Sequence, residues 1–149
     1  MIHSHTLKRL GLLLCAGAVA MVAAGCAGSG STSTLAPQQA LIQGEVFYLN
    51  RMALPADAQL TVSLNDVSLA DAPAKVLSRQ EINTAGKQVP ISFTLTYDPT
   101  QVQANHTYSI SARIEQQGQL LYINTEHIGV KLDGTDPQPV RVKVDAVSR

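Results

Sequence analysis

The residue best placed to do chemistry is Cys26, which closes an apolar run as Ala23-Ala24-Gly25-Cys26. A cysteine behind small residues at the end of such a run is the pattern of a lipid acceptor, with cleavage between Gly25 and Cys26 and the lipid carried on the cysteine as the new amino terminus. Lys8 and Arg9, with His3 and His5, supply the positive region ahead of it, and Leu10 to Val22 supply a thirteen-residue apolar stretch. A membrane span needs about 20 apolar residues. The stretch therefore reads as a cleaved signal and not as an anchor. Cys15 follows Leu12, Leu13 and Leu14, bulky neighbours that do not suit a cleavage site, so it is expected to leave with the signal.

The other reactive side chains are sparse. Asp66 and Asp71 are two carboxylates five positions apart, a spacing that invites an acid–base pair. No histidine, lysine or glycine-rich loop is expected to accompany them, and capping of the turn around Val67-Ser68-Leu69-Ala70 is the expected role. His106 lies in the turn Asn105-His106-Thr107, twenty-one residues before His127, and neither has a second His or a Cys near it. Zinc needs three or four converging ligands, so no metal site is expected. No serine lies in a Gly-x-Ser-x-Gly elbow or beside an evident base. The expectation is a chain with no catalytic residue and no cofactor, which is not an enzyme.

Beyond Cys26 there is length for one domain and a leash. From Cys26 onward the chain has 124 residues, enough for a single core. Without Lys8 and Arg9 it holds nine basic and eleven acidic residues and no basic block, which argues against nucleic acid as a partner. Acylation of Cys26 would leave no thiol for a disulfide, so the domain must be stable by packing. Residues 27–39 are rich in Gly, Ser, Thr and Ala and cannot bury enough surface to order themselves. The expected organisation is a signal peptide over 1–25, a lipidated tether over 26–39 and a folded domain over 40–149.

That domain must be built from strands. Leu60, Val62 and Leu64 alternate with Thr61, Ser63 and Asn65, placing Val62 inward and Thr61 outward. Ile91, Phe93, Leu95 and Tyr97 alternate with Ser92, Thr94 and Thr96, and Pro90 requires this strand to start there or to run at an edge. Further strands are predicted at Leu41–Leu49, Lys75–Asn83, from Tyr108 through Ile114, from Gln119 to about Ile128 after a Gln117-Gly118 hairpin, and from Val140 to Asp145. About seven antiparallel strands in this length predict an all-β, Ig-like β-sandwich, with a small barrel as the alternative. Tyr108, near a strand start, is placed either for a hydrogen bond of the tyrosine-corner kind or for core filling. Arg113 should point away from the Tyr108, Ile110 and Ile114 face.

Several stretches carry a resemblance. They are Gly44-Glu-Val-Phe-Tyr48-Leu-Asn-Arg51-Met-Ala53-Leu54-Pro55, Ala58-Gln-Leu60-Thr-Val62-Ser-Leu64-Asn-Asp66-Val67-Ser68, and Asp71-Ala72-Pro73. Later come Pro90-Ile-Ser-Phe93, Tyr97-Asp98-Pro99 and Tyr108-Ser-Ile-Ser-Ala112-Arg113-Ile114 before Gly118. Over nearly the whole domain the chain resembles the YbaY family of envelope lipoproteins, which is similar to the YscW lipoproteins that act as pilots for type III secretion secretins. The resemblance implies a small lipidated sandwich that binds another envelope protein. What is known of lipoproteins as a class implies that Ala27, standing where Asp would retain the chain at the inner membrane, directs it to the outer membrane, facing the periplasm.

Two functions follow as expectations. The first is a non-enzymatic binding module, a chaperone or pilot for an envelope protein, tethered through its lipid. Its expected contact residues are Arg51, Leu54 and Pro55, a polar and apolar cluster larger than a turn requires, with the first strand as a possible edge for an added strand. The second is a glycan-associated lipoprotein acting on peptidoglycan or lipopolysaccharide. Sugar sites need exposed aromatic faces, and a chain with no Trp, four Tyr and two Phe, most of them on apolar strand faces, offers few.

Overall fold

The computed structural model describes residues 38–148, and Gly25, Cys26 and Ala27, with the signal and most of the tether, lie outside them. Nine strands and one short 3-10 turn make up the domain: β1 (Ala40–Phe47), β2 (Gln59–Asp66), β3 (Lys75–Asn83), β4 (Ile91–Tyr97), β5 (Tyr108–Gln116), β6 (Gln119–Ile123), β7 (Ile128–Val130), β8 (Val140–Lys143) and β9 (Asp145–Ala146). They form a three-stranded sheet ordered β4-β1-β8 and a larger sheet ordered β3-β2-β5-β6-β9, in which β7 also pairs with β5. The sandwich expected from the alternation is present. The inner layer holds Ile42, Val46, Leu95 and Val142 from the smaller sheet against Leu60, Val62, Leu64, Ile110 and Ile114 from the larger, each at most 2% exposed.

Local chemistry explains the departures from seven strands. The predicted sixth strand divides because the Asn124 side chain takes a ladder position: its Oδ1 accepts from Ala112 N–H at 2.7 Å, while the Asn124 backbone N–H donates to Ala112 O at 3.1 Å. The last strand divides because the chain changes sheets at Val144, whose N–H donates to Phe47 O at 2.9 Å, before β9 pairs with β6. β1 and β8 run parallel, the one exception to the antiparallel pattern among the paired strands described.

Three further details bear on the site. Pro90 precedes β4, which starts at Ile91 and lies at an edge of its sheet. β1, in contrast, is the central strand between β4 and β8, so the first strand is not the open edge expected of it. Its register needs Gly44, where a Cβ would fall 2.3 Å from Phe93 Cζ and 2.5 Å from Val140 O. Thr61 does face outward, but it is 5% exposed, so the outer face of the larger sheet is partly covered.

Eight residues of β1 at about 3.3 Å each separate its two ends by roughly 23 Å. The start of β1 shares one end of the sandwich with the β2–β3, β4–β5 and β7–β8 connections. The finish of β1 shares the distal end with the β1–β2 loop, the β3–β4 turn, the β5–β6 hairpin and β9.

Candidate functional site

At the distal end the β1–β2 loop leaves Phe47 and makes a shelf that includes Leu49, Met52 and Ala53 as exposed apolar side chains. Tyr48 is buried and stacks on Tyr122 of β6, with centroids 4.5 Å apart and planes 10° off parallel. Its hydroxyl donates to Met52 O at 2.7 Å, which curls the loop back over the ring. Burial, and then the neighbouring Tyr122, raises the Tyr48 hydroxyl above the usual phenol range. The Asn50 side chain accepts from Met52 N–H at 3.1 Å and completes the turn.

The result is an apolar hollow of about 450 Å³ lined by Met52, Ala53, Pro55, Leu121, Tyr122 and Val147. Met52 is 67% exposed and Val147 is 40% exposed, and Leu49, on the same loop as Met52, is 78% exposed. Isolated exposed apolar residues are ordinary, but several gathered around a concavity mark an interaction surface. The floor is tied to β6 by Val147 N–H, just after β9, donating to Leu121 O at 3.0 Å.

The three residues expected in this loop divide by role. Leu54 is 5% exposed and belongs to the core, with its N–H donating to Gln88 Oε1 at 2.7 Å and its carbonyl accepting from Gln88 Nε2 at 3.2 Å. Pro55 lines the hollow, and its carbonyl accepts from Ala58 N–H at 3.1 Å. Arg51 is exposed on the same loop. Sequence spacing alone missed Leu121, Tyr122 and Val147, which arrive from β6 and the C-terminal segment. A weak sign was available in Val147, an apolar residue beyond the last alternating strand.

The opposite end is held by charge. Asp66 Oδ1 accepts from Ser68 N–H at 3.0 Å and from the Ser68 hydroxyl, while Asp66 Oδ2 lies 2.6 Å from His106 Nδ1. Ser68 Oγ in turn accepts from Thr107 N–H at 2.9 Å, and Val67 N–H donates to Thr107 O at 2.8 Å. These bonds hold the Asp66 carboxyl well below the usual range, at about 2, with Ser68 as the first cause and His106 as the second. The turn-capping role is thus observed, but the reading that no histidine accompanies Asp66 is overturned. His106 comes from the β4–β5 connection, forty residues away in sequence.

Asp71 stays exposed and outside this cluster. The order of the three groups is also wrong for a nucleophile relay, because the carboxylate lies between serine and histidine and the two do not bond each other. Tyr108 is buried and its hydroxyl accepts from Gln103 N–H at 2.7 Å, so the corner bond and core filling both occur. Arg113 points outward and meets Glu115 at 3.6 Å. His127 is exposed, and no cluster of three metal-ligating side chains occurs among the described residues.

Comparison with known proteins converges on one group. The family model for the type III secretion system lipoprotein chaperone YscW matches residues 37–144. The YbaY lipoprotein of Escherichia coli K12 is 45% identical over 93 residues, which are 62% of this chain and 49% of that protein. The chain therefore spans about half the length of this curated relative. The structure of an alternative pilotin from the type II secretion system of Vibrio cholerae matches with a TM-score of 0.70 at 45% identity, covering 75% of this chain and all of the pilotin.

Proposed function

Because the chain belongs to the YscW family of type III secretion system lipoprotein chaperones, we propose that it is a lipid-anchored periplasmic chaperone of the outer membrane that holds a secretin-type envelope protein in the distal hollow. The observation that carries this reading is the coincidence of exposed Met52 and Val147 around one concavity, at the end of the sandwich away from the start of β1. A tether on Cys26 would enter at Ala40, so the hollow would lie at the end of the domain away from the point of attachment. Cleavage at Gly25-Cys26 supplies the amino terminus, and Ala27 is the residue that permits outer-membrane sorting.

The rings that a glycan site would need are used elsewhere. Tyr48, Phe93, Tyr97, Tyr108 and Tyr122 are buried, and Phe47 lies under Arg141, whose guanidinium carbon is 4.4 Å from the ring centroid. The apolar hollow suits a protein segment better than a sugar. Non-enzymatic binding fits an arrangement whose ionised cluster is saturated by its own hydrogen bonds.

The test is site-specific photocrosslinking in cells, with the probe placed at Met52 in one strain and at exposed Thr96 on the outer face of β4 in another. Crosslinks to an outer-membrane protein from Met52 alone support the reading. Equal recovery from both positions, or none from Met52, sinks it. Fractionation of Cys26→Ser tests the anchor separately, since release from membranes or an uncut precursor is expected.

A further inference from the structure

The outer face of the larger sheet carries a second, smaller hollow of about 170 Å³, lined by Thr61 and Ser63 of β2, Arg79 of β3, Ser111 and Arg113 of β5 and Ile123 of β6. Its floor is hydroxyl-bearing, and its two charged walls are both guanidinium groups. The register places Arg79 opposite Ser63, and Ser63 opposite Ser111, in one row across the sheet. The next row runs from Glu81 to Thr61 to Arg113 to Ile123. Arg79 and Arg113 therefore stand on either side of β2, one row apart, near enough for both long side chains to reach over the same hydroxyls.

The hydrogen-bond inventory of the floor does not close on itself. Asn65 Nδ2 donates to Ser111 Oγ at 2.7 Å and to Ser63 Oγ at 3.3 Å, and the two hydroxyls lie 3.0 Å apart. One serine donates to the other, whichever way the pair is arranged. The second serine then has a proton with no acceptor among the described residues. The guanidinium groups are also incompletely used. Arg79 approaches Glu81 at 3.9 Å and Arg113 approaches Glu115 at 3.6 Å, in both cases through Nε and beyond hydrogen-bond range. Their terminal nitrogens make no hydrogen bond among the described residues, and such exposed pairs are readily exchanged for a better acceptor.

The geometry points to an oxyanion site, in which a phosphoryl group accepts from Arg79, Arg113 and the spare serine hydroxyl. Planar guanidinium donors match the oxygens of a phosphate two at a time, and a hydroxyl supplies the third direction. Carboxylates are absent from the lining of the hollow, where one would repel the ligand. The site lies on the broad face of the larger sheet and is independent of the distal hollow. Its ligand is either free phosphate or the phosphate of a lipid headgroup, which a membrane-tethered domain would meet at high local concentration.

The experiment is a nuclear magnetic resonance titration of the full chain in neutral detergent micelles at constant ionic strength. One arm adds inorganic phosphate against a chloride control, and the other dopes the micelles with phosphatidic acid. Saturable shifts at the Ser63 and Ser111 amides and at the Arg79 and Arg113 Nε signals are expected in at least one arm, and the responding arm identifies the source. Arg79→Gln with Arg113→Gln should weaken that binding at least tenfold with an unchanged melt. If this pair lowers the melt, Arg79→Lys with Arg113→Lys keeps both charges and should still weaken binding several-fold by removing the paired donors. Absence of saturable shifts in both arms, or affinity unchanged in the variants, overturns the site.

Discussion

At the end of the sandwich where β1 begins, the loops are tied by carboxylates; at the end where β1 finishes, uncharged side chains project into solvent around a hollow. Asp66 holds the β2–β3 connection to the β4–β5 connection. Asp98 caps the short turn after β4 by accepting from Thr100 N–H at 2.8 Å, and Asp136 gathers the N–H groups of Lys131 and Leu132 at 2.7 and 2.8 Å. Carboxylates also tie the distal end, Asp57 to Gln116 and Gln117 at 2.7 and 3.0 Å and Asp145 to Thr125 and Lys143 at 3.0 and 3.3 Å, but the loop that walls the hollow rests on packing beneath Tyr48 and Leu54. Exposed Leu69 at the first end borders a hollow whose other walls include Asp66, Lys75, Gln103 and His106, so its polarity differs from that of the hollow around Met52. Ionic ties fix loops without offering apolar surface, while an apolar hollow keeps unspent surface that a partner can bury.

The sharpest contrast lies within the distal loop itself. Leu54→Ala removes a buried side chain and should cost about 2–5 kcal/mol in denaturant unfolding. A loss below about 1 kcal/mol would mean that Leu54 is not part of the core and that the loop is free to move as a unit.

Acid should attack the opposite end first. The folded Asp66 carboxyl titrates at about 2, below its ordinary value of 3.8. Its contribution is therefore complete above the ordinary value and is lost as pH falls from about 4 toward 2. Hydrogen exchange at the Val67 and Thr107 amides should rise over that window before exchange at Val147. Asp66→Asn should lower the melt by a few degrees at neutral pH and flatten the dependence. Simultaneous opening of both ends would erase the distinction between them.

A third change should stabilise the distal end. Thr84 is fully buried beside the β1–β2 loop, where its N–H donates to Ala58 O at 3.0 Å, and its hydroxyl has no hydrogen-bond partner among the described residues. Thr84→Val keeps the shape and removes the unpaired group, so stability should rise by up to about 1 kcal/mol. A clear loss instead would show that the hydroxyl has a partner, such as a buried water.

The smallest thermal effects belong to the surface. Met52→Ser and Arg51→Ala should each change stability by no more than about 0.5 kcal/mol. Met52→Ser should nevertheless reduce recovery of crosslinked partner, and Arg51→Ala tests whether the contact extends beyond the apolar hollow. A lowered melt for Arg51→Ala would assign it to support of the turn.

Much of this organisation was legible along the chain, because strand alternation is a local property. The period-two runs at Leu60–Leu64 and Ile91–Tyr97 determined which side chains enter the core, and β3 and β4 occupy the predicted spans Lys75–Asn83 and Ile91–Tyr97. The Gln117-Gly118 pair determined a two-residue hairpin, and both residues have positive φ, 49° and 78°, as a twisted hairpin turn demands. Pairing across the sheets was not legible, because period-two alternation is the same for a central strand and an edge strand. Only the tertiary structure could put β1 between β4 and β8, bring His106 to Asp66, or carry Leu121, Tyr122 and Val147 to the loop that contains Pro55. Local alternation set the strand-forming runs and their buried faces, and residue order set the lipid-acceptor pattern at Cys26. Which loops share an end, and therefore where charge is spent and where apolar surface is left over, was decided by contacts between residues far apart in the chain, which no local pattern encodes.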